Sequence, residues 1–471
     1  MPPFDVCGPL PEGTVVLEAS AGTGKTFTIA ALATRYVAEG RAELGQLMLV
    51  TFGRAATQEL RERVRERLVD TERGLADPIA ARSATDDLLR LLADADDDEV
   101  ALRRRRIAGA LAGFDAATIA TTHGFCQQML AGLGMASDND PDATFVEDLD
   151  DLIDEVVDDL YLRKYAAPGA GVPAMSYATA RSVARDAVYD RQARLVPTDA
   201  DPASEAGQRI GIARAARLEV ERRKRNRKLL DYDDLLHRLR DALRDERHGE
   251  AARQRIRDRY KVVLVDEFQD TDPVQWDILR LTFAGNVTLV LIGDPKQAIY
   301  GFRGGDVVTY LDAAGTATSS ATLTRNWRSD QPLVDALDEL FGGAALGDER
   351  IVVRPVEAAR PERTLTDGAP LRIRVLDRAA GKLFVDDARE LVTADVAADI
   401  ARRLGGGALN GDGLNKDGLG GKGLEPGDIA VLVRTNNQGR QIRDALAAVG
   451  VPAVLASNAS VFGTPIARER L

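Results

Sequence analysis

Two runs of residues, far apart in the chain, carry the side chains that phosphate chemistry needs. The first reads Glu-Ala-Ser-Ala-Gly-Thr-Gly-Lys-Thr from Glu18 to Thr26, and the second reads Val-Asp-Glu-Phe-Gln-Asp-Thr from Val265 to Thr271. In the first, Gly22 and Gly24 let the backbone come close to an anion. Lys25 supplies charge for outer phosphates, and Thr26 supplies a hydroxyl for a magnesium ion. The run follows an apolar stretch at 14–17 and opens an Ala-rich helical one, the strand–loop–helix context that a phosphate cradle requires. Ala19 stands where the GxxxxGK[ST] pattern has its first glycine, so the close approach rests on the other two. The expected nucleotide-contacting segment is Ala19, Ser20, Ala21, Gly22, Thr23, Gly24, Lys25 and Thr26, with Phe27 next on the helix. In the second run two adjacent carboxylates end an apolar strand. Asp266 suits a metal-bound water, and Glu267 can orient or deprotonate an attacking water. Together the runs predict hydrolysis of a nucleoside triphosphate.

The elements that must position these groups are legible as alternating segments. Short apolar strands are expected at 14–17, 47–51, 118–120, 262–265 and 287–292, with helices between them. That βα alternation predicts a parallel sheet covered by helices on both faces. Lys25 and Asp266 are well over two hundred residues apart, too far for one compact sheet, so a domain is inserted between them. The helical, highly charged stretch at 147–259 is the candidate, joined by Arg-rich helices near 70–112. A second βα region follows Leu323, with strands expected at 371–376 and 428–433 and helices near 386–404 and 437–449. The segment 404–427, rich in Gly, Asn, Asp and Lys, reads as a surface loop. The acidic run at 147–159 reads as a solvated helix face. The basic run at 222–228 fits either phosphate contact or another solvated helix.

Composition narrows the class. With 471 residues the chain has room for two or three domains. The net charge of -12 means that nucleic-acid binding would depend on local patches or a groove. Two cysteines, Cys7 and Cys126, and three histidines offer neither a disulfide framework nor a zinc cluster. There is no signal-peptide pattern at the N-terminus and no run approaching a membrane span, so a soluble cytoplasmic protein is expected.

Four further segments select among nucleotide hydrolases. Leu49-Val50-Thr51-Phe52 precedes an Arg/Glu-rich helix, and Ala-Thr-Thr-His-Gly-Phe-Cys spans Ala120 to Cys126. Leu-Ile-Gly-Asp-Pro-Lys-Gln-Ala-Ile-Tyr-Gly-Phe-Arg-Gly spans Leu291 to Gly304, and Thr-Arg-Asn-Trp-Arg-Ser spans Thr324 to Ser329. In these segments and their order the chain resembles the UvrD/Rep helicases of superfamily one, and within them the RecB-type branch. The resemblance is strong from residue 17 to about residue 330 and fainter through 428–462.

The resemblance implies an α/β fold of two RecA-like P-loop domains with parallel sheets, the second incomplete, and a mainly helical insertion in the first. The first motor domain is then 1–146 (including part of the insertion near 70–112) and 260–320, the insertion is 147–259, and a truncated second motor domain is 321–471. It further implies ATP and Mg²⁺ as cofactors, the metal held by Thr26 and Asp266, with Glu267 activating water. Gln297 resembles the γ-phosphate sensor, and Arg328, from the second domain, resembles an arginine finger, worth about 10³–10⁵ in turnover. Trp327 resembles the aromatic that stacks on adenine, while Phe27 stands where relatives often carry an arginine on the other face of the base. Thr51, Phe52, Thr122, His123, Phe125, Tyr300, Phe302 and Arg303 resemble positions that contact single-stranded DNA by stacking and backbone contacts. Gly53 replaces a second threonine of many relatives. The acids of 231–236 read as structural caps.

The resemblance also implies 3′ to 5′ translocation on single-stranded DNA in double-strand-break repair, with RecC- and RecD-like partners and no membrane. Two later family motifs, of the kinds Thr-Ile-His-Lys-Ser-Lys-Gly-Leu-Glu and Leu-Tyr-Val-Ala-Leu-Thr-Arg, do not occur. The chain therefore reads as the N-terminal portion of a longer helicase, expected to bind ATP, turn it over poorly and not unwind duplexes unaided. A UvrD- or AddA-type helicase with other partners, and an ATP- and DNA-binding module inactive as a helicase, are the alternatives.

Overall fold

The computed structural model describes residues 1–133, 144–146, 148–166, 173, 175–299, 305–362, 368–376, 384–405 and 424–456. Continuous apolar runs form the strands of the central sheet: β1 (Thr14–Ala19), β2 (Leu47–Thr51), β3 (Thr118–Thr121), and, after the short β4 (Thr144–Phe145) and β5 (Leu229–Leu230), β6 (Val262–Val265), β7 (Thr288–Gly293) and β8 (Ser319–Leu323). The sheet has six parallel strands in the order β3-β2-β6-β7-β1-β8. β1 lies next to the β8 edge and is paired on both sides, Val15 to Val290 on one and to Ser319 on the other. All strands point the same way, so the loops after β1, β2, β3, β6 and β7 open on one edge, where ligands of such sheets bind.

Strand alternation sends side chains to two cores. Leu17, Leu49, Leu264 and Ile292 face one, together with α1 (Lys25–Ala38), α2 (Arg54–Gly74), α3 (Pro78–Arg82), α4 (Asp87–Ala93) and α5 (Asp97–Ala112). Val16, Val50, Val263 and Leu291 face the other, which takes residues of α6 (Thr122–Leu133). Three helices, α7 (Asp150–Tyr165), α8 (Tyr177–Tyr189) and α9 (Glu205–Arg227), have a core of their own around Val156, Ala184 and Val220. The next two, α10 (Tyr232–Arg244) and α11 (Gly249–Arg257), lie within the stretch read as insertion. They nonetheless bury Leu235, Leu239, Leu243 and Ile256 in the sheet core with Phe125, beside α12 (Pro273–Phe283) and α13 (Val307–Thr316). The helices near 70–112 likewise belong to the sheet core and not to the separate helical one.

The chain divides into two compact units, Met1–Arg328 with Gly342–Glu357, and Ser329–Phe341 with Ala358–Leu471. β9 (Arg325–Asp330) runs out of the first. The second contains α14 (Gln331–Phe341), α15 (Val385–Gly405) and α16 (Asn436–Ala448), with a small core around Ile400, Ile442 and Leu446. The two strands expected there do not form: among the described residues 371–376 and 429–433 carry no ladder, although their apolar side chains suit one. Most of the 404–427 loop lies outside the described residues.

Candidate nucleotide site

The loop between β1 and α1 is shaped by two glycines in the left-handed region, Gly22 at φ 79° and Gly24 at φ 87°. Gly22 has a second reason to lack a side chain, because a Cβ there would lie 2.8 Å from both Asn326 Oδ1 and Arg328 Cβ. β9 clasps the loop from outside. The Trp327 amide donates to Gly22 O at 2.8 Å, and Asn326 Nδ2 donates to Ala21 O at 3.2 Å. Thr23 Oγ1 closes the turn on Ser20 O at 2.7 Å. Ala19, expected in the cradle, is fully buried as the last residue of β1, paired to Leu323, so it supports the loop without a side chain in it.

From α1, Lys25 reaches across the sheet edge, and its Nζ donates to Glu267 Oε2 at 2.6 Å. Glu267 follows β6 in a left-handed conformation, φ 50° and ψ 42°, rare for a side-chain-bearing residue and costing on the order of 1–3 kcal/mol. Gln269 fixes it: its Nε2 donates to Glu267 Oε2 at 2.6 Å while its Oε1 accepts from the Asp294 amide at 2.9 Å. Gly293 makes room, since a Cβ there would meet Gln269 Oε1 at 2.6 Å. Burial, together with the adjacent Glu267 charge, pushes the Asp266 carboxyl up to about 6, and the same two causes raise Asp270 to about 6. These acids stand where added positive charge would be favourable.

These elements line one cleft of about 610 Å³, which holds Ser20, Gly22, Gly24, Lys25, Thr26, Phe27, Glu267, Trp327 and Arg328. All belong to the first compact unit, including Trp327 and Arg328, which the sequence reading had assigned to the second lobe. The α2 residues Glu59, Arg63, Glu66, Arg67 and Asp70 complete the wall. Sequence reading missed these, along with Gln269 and Asn326. Arg63 and Arg67 do share a helix face by their four-residue spacing, but nothing separates them from the other arginines of α2. Gln297 is not among the lining residues, and its amide donates to Asp294 Oδ2 at 2.7 Å.

The expected strand-contacting residues divide by burial. Phe52 and His123 are half-buried near the same sheet edge. His123 packs edge-on against Tyr232, ring centroids 5.1 Å apart, and Tyr232 in turn meets Phe145 at 4.8 Å and accepts from Arg54 at 2.7 Å. Burial lowers the His123 pKa against the opposing pull of Asp231, which favours the neutral ring. Thr122 begins α6 and is half-buried. Two members of the set are corrected. Phe125 is fully buried against Tyr260 and Phe283, because the helix starting at Thr122 turns that position into the core. Thr51, 1% exposed, ends β2 inside the sheet. Tyr300, Phe302 and Arg303 lie outside the described residues. Of the acids at 231–236, Asp231 and Asp234 act as caps, forming a reciprocal box at the start of α10, and Asp233 does not.

The donor set fits a hard cation. A hydroxyl at Thr26 and a carboxylate at Asp266 are oxygen ligands suited to magnesium, and a cation there would offset the burial and the Glu267 charge that raise the Asp266 pKa. Among the described residues no cluster of three or more His, Cys, Asp or Glu could hold a metal alone.

A parallel sheet, a glycine loop running into a helix, and a carboxylate pair ending a neighbouring strand define a P-loop nucleotide-binding domain. The UvrD/REP helicase N-terminal domain matches residues 6–318, and the chain belongs to that helicase family. It is 48% identical over 99% of its length to a protein of Mycolicibacterium smegmatis described as RecBCD enzyme subunit RecB, of which it covers 42%. Proteins of the same description from Mycobacterium tuberculosis and Escherichia coli are 44% and 30% identical over 99% and 98% of the chain, which covers 42% and 49% of them. The chain thus spans less than half the length of these curated relatives. No helix among the described residues is long and apolar enough to cross a membrane.

Proposed function

We propose that this chain is the nucleotide-binding motor portion of an ATP-dependent DNA helicase of the RecB type. It would work in recombinational repair of double-strand breaks, translocating 3′ to 5′ on single-stranded DNA. The observation that carries the reading is the convergence, in one cleft at the sheet edge, of the glycine loop, Lys25, Glu267, Trp327 and Arg328. In this reading Gly22, Gly24 and the N-terminus of α1 present N–H groups to the polyphosphate, and Lys25 leaves Glu267 to meet the outer phosphates. Freed of that pair, Glu267 keeps its orientation through Gln269 and accepts a proton from the attacking water. Thr26 and Asp266 would hold Mg²⁺, which supplies charge neutralisation on the phosphate oxygens. Arg328 adds a cation from the opposite strand of the cleft, and Gln297 remains the candidate γ-phosphate sensor once its bond to Asp294 is exchanged.

Phe52, His123 and the neighbouring Tyr232 supply aromatic surface for unpaired bases. RecC- and RecD-like subunits are the proposed partners, in keeping with the printed description of the relatives. The test is ATP hydrolysis by this chain with and without a single-stranded oligonucleotide. Stimulation by the single strand supports a DNA motor. Nucleotide binding with a rate indifferent to DNA overturns it in favour of a binding module without motor activity.

A further inference from the structure

Two large aromatic side chains beside the phosphate loop are left in water, Phe27 at 53% exposure and Trp327 at 55%. Both lie next to Gly24, where a Cβ would sit 3.5 Å from Trp327 Cδ1 and 3.9 Å from Phe27 Cβ. Each also carries a guanidinium over its ring: Arg67 at 5.2 Å from the Phe27 centroid and Arg325 at 4.6 Å from that of Trp327. Arg67 is not a loose surface cation. Its side chain is 13% exposed, and its two terminal nitrogens donate to the two oxygens of Asp86 at 2.5 and 2.8 Å. Its Nε is buried with no hydrogen-bond partner, so that carboxylate dominates its placement. Asp86 is itself anchored, since one oxygen also accepts from the Leu89 amide at 3.1 Å as the cap of α4.

We propose that Arg67, positioned by Asp86, makes Phe27 a base-stacking wall of the cleft. This rests on the reading of the cleft as a nucleotide site and names the parts that recognise the base rather than the phosphates. A guanidinium on one side of an aromatic ring strengthens the ring's hold on a flat, electron-rich partner at its free face, and the bidentate tether removes the entropy of placing it. Arg67 is thus a positioning residue for a purine nucleotide and takes no part in phosphoryl transfer.

The test compares ADP with inorganic tripolyphosphate, each titrated with magnesium into the whole chain, for wild type, Arg67→Ala, Arg67→Lys and Asp86→Asn. Arg67→Ala is expected to weaken ADP about 3- to 30-fold while leaving tripolyphosphate within about twofold. Arg67→Lys keeps the charge but not the two-point tether, and falls between the two, as does Asp86→Asn. Equal losses for both ligands indicate a purely structural role and overturn the proposal, and so does an unchanged ADP affinity in Arg67→Ala. A wild-type chain that binds neither ligand overturns the nucleotide reading beneath it, a result distinct from these.

Discussion

In the helical insertion, Arg223 is held by Glu155, Asp159 and Glu219, and the buried Lys224 by Asp231 and Asp234, each at 2.7 Å. At the sheet edge the proportions reverse, with Lys25 among three carboxylates, Asp266, Glu267 and Asp270, two of them pushed up to about 6. The basic run at 222–228, which could have faced a phosphate backbone, is largely consumed by acids of α7, α9 and the start of α10. The acidic run at 147–159 is the other half of that lattice, with Asp150 on Arg185 and Asp154 on Arg181. Beside the cleft, Asp266 and Asp270 are two acids, raised by burial and the Glu267 charge, that a magnesium ion would relieve. A run of like charges therefore says little about ligand binding until its partners are known.

That contrast can be broken first at Glu267. Glu267→Gln is expected to lower single-turnover hydrolysis of ATP by about 100-fold or more while leaving nucleotide affinity at least as high, because Lys25 loses a competitor for its charge. A variant that hydrolyses normally would remove Glu267 from the chemistry. On the other side of the comparison, Lys224→Met leaves two half-buried carboxylates without their shared cation. A loss of about 3 kcal/mol in chemical denaturation is expected, with nucleotide binding unchanged.

The legibility of the chain followed the same division. β1, β2, β6 and β7 were readable because a parallel strand buried on both faces is a continuous apolar run. β8, Ser-Ser-Ala-Thr-Leu, was not, since an edge strand bears little of the core and needs few large side chains. The helices α10 and α11 were read as part of the insertion because charge dominates their composition; only the spacing of Leu235, Leu236, Leu239 and Leu243 reports the face that docks on the sheet. The loop, Lys25 and Glu267 were legible because phosphate chemistry admits few residue types. Arg67 and Gln269 were not, because their roles come from what they touch across the fold. Phe125 shows the opposite failure: a resemblance placed it at a surface, and the helix geometry after Thr122 buries it.

A smaller effect tests the insertion's boundary with pH. Burial, with Asp231 nearby, pushes Asp233 up to about 6, above its ordinary value of 3.8. Between about pH 4 and 6 the folded chain then binds a proton that the unfolded chain releases, so this group favours folding at low pH and opposes it above 6. Asp233→Asn should stabilise the chain by roughly 1–2 kcal/mol at pH 7.5 and by nothing measurable near pH 3.5. A gain of equal size at both values would show that the carboxylate's ionisation is irrelevant. Smallest of all, Arg222→Ala removes an exposed pair with Glu219 and should leave the melting temperature unchanged within error.

The most direct test of the whole account is calorimetric titration of magnesium with a slowly hydrolysed ATP analogue into wild type and Lys25→Ala. The account predicts one saturable site per wild-type chain and a loss of about 30-fold or more in the variant, with the fold intact by circular dichroism. Equal affinity in the two proteins would contradict it, because the cleft would then hold its nucleotide without the lysine that follows the glycine loop.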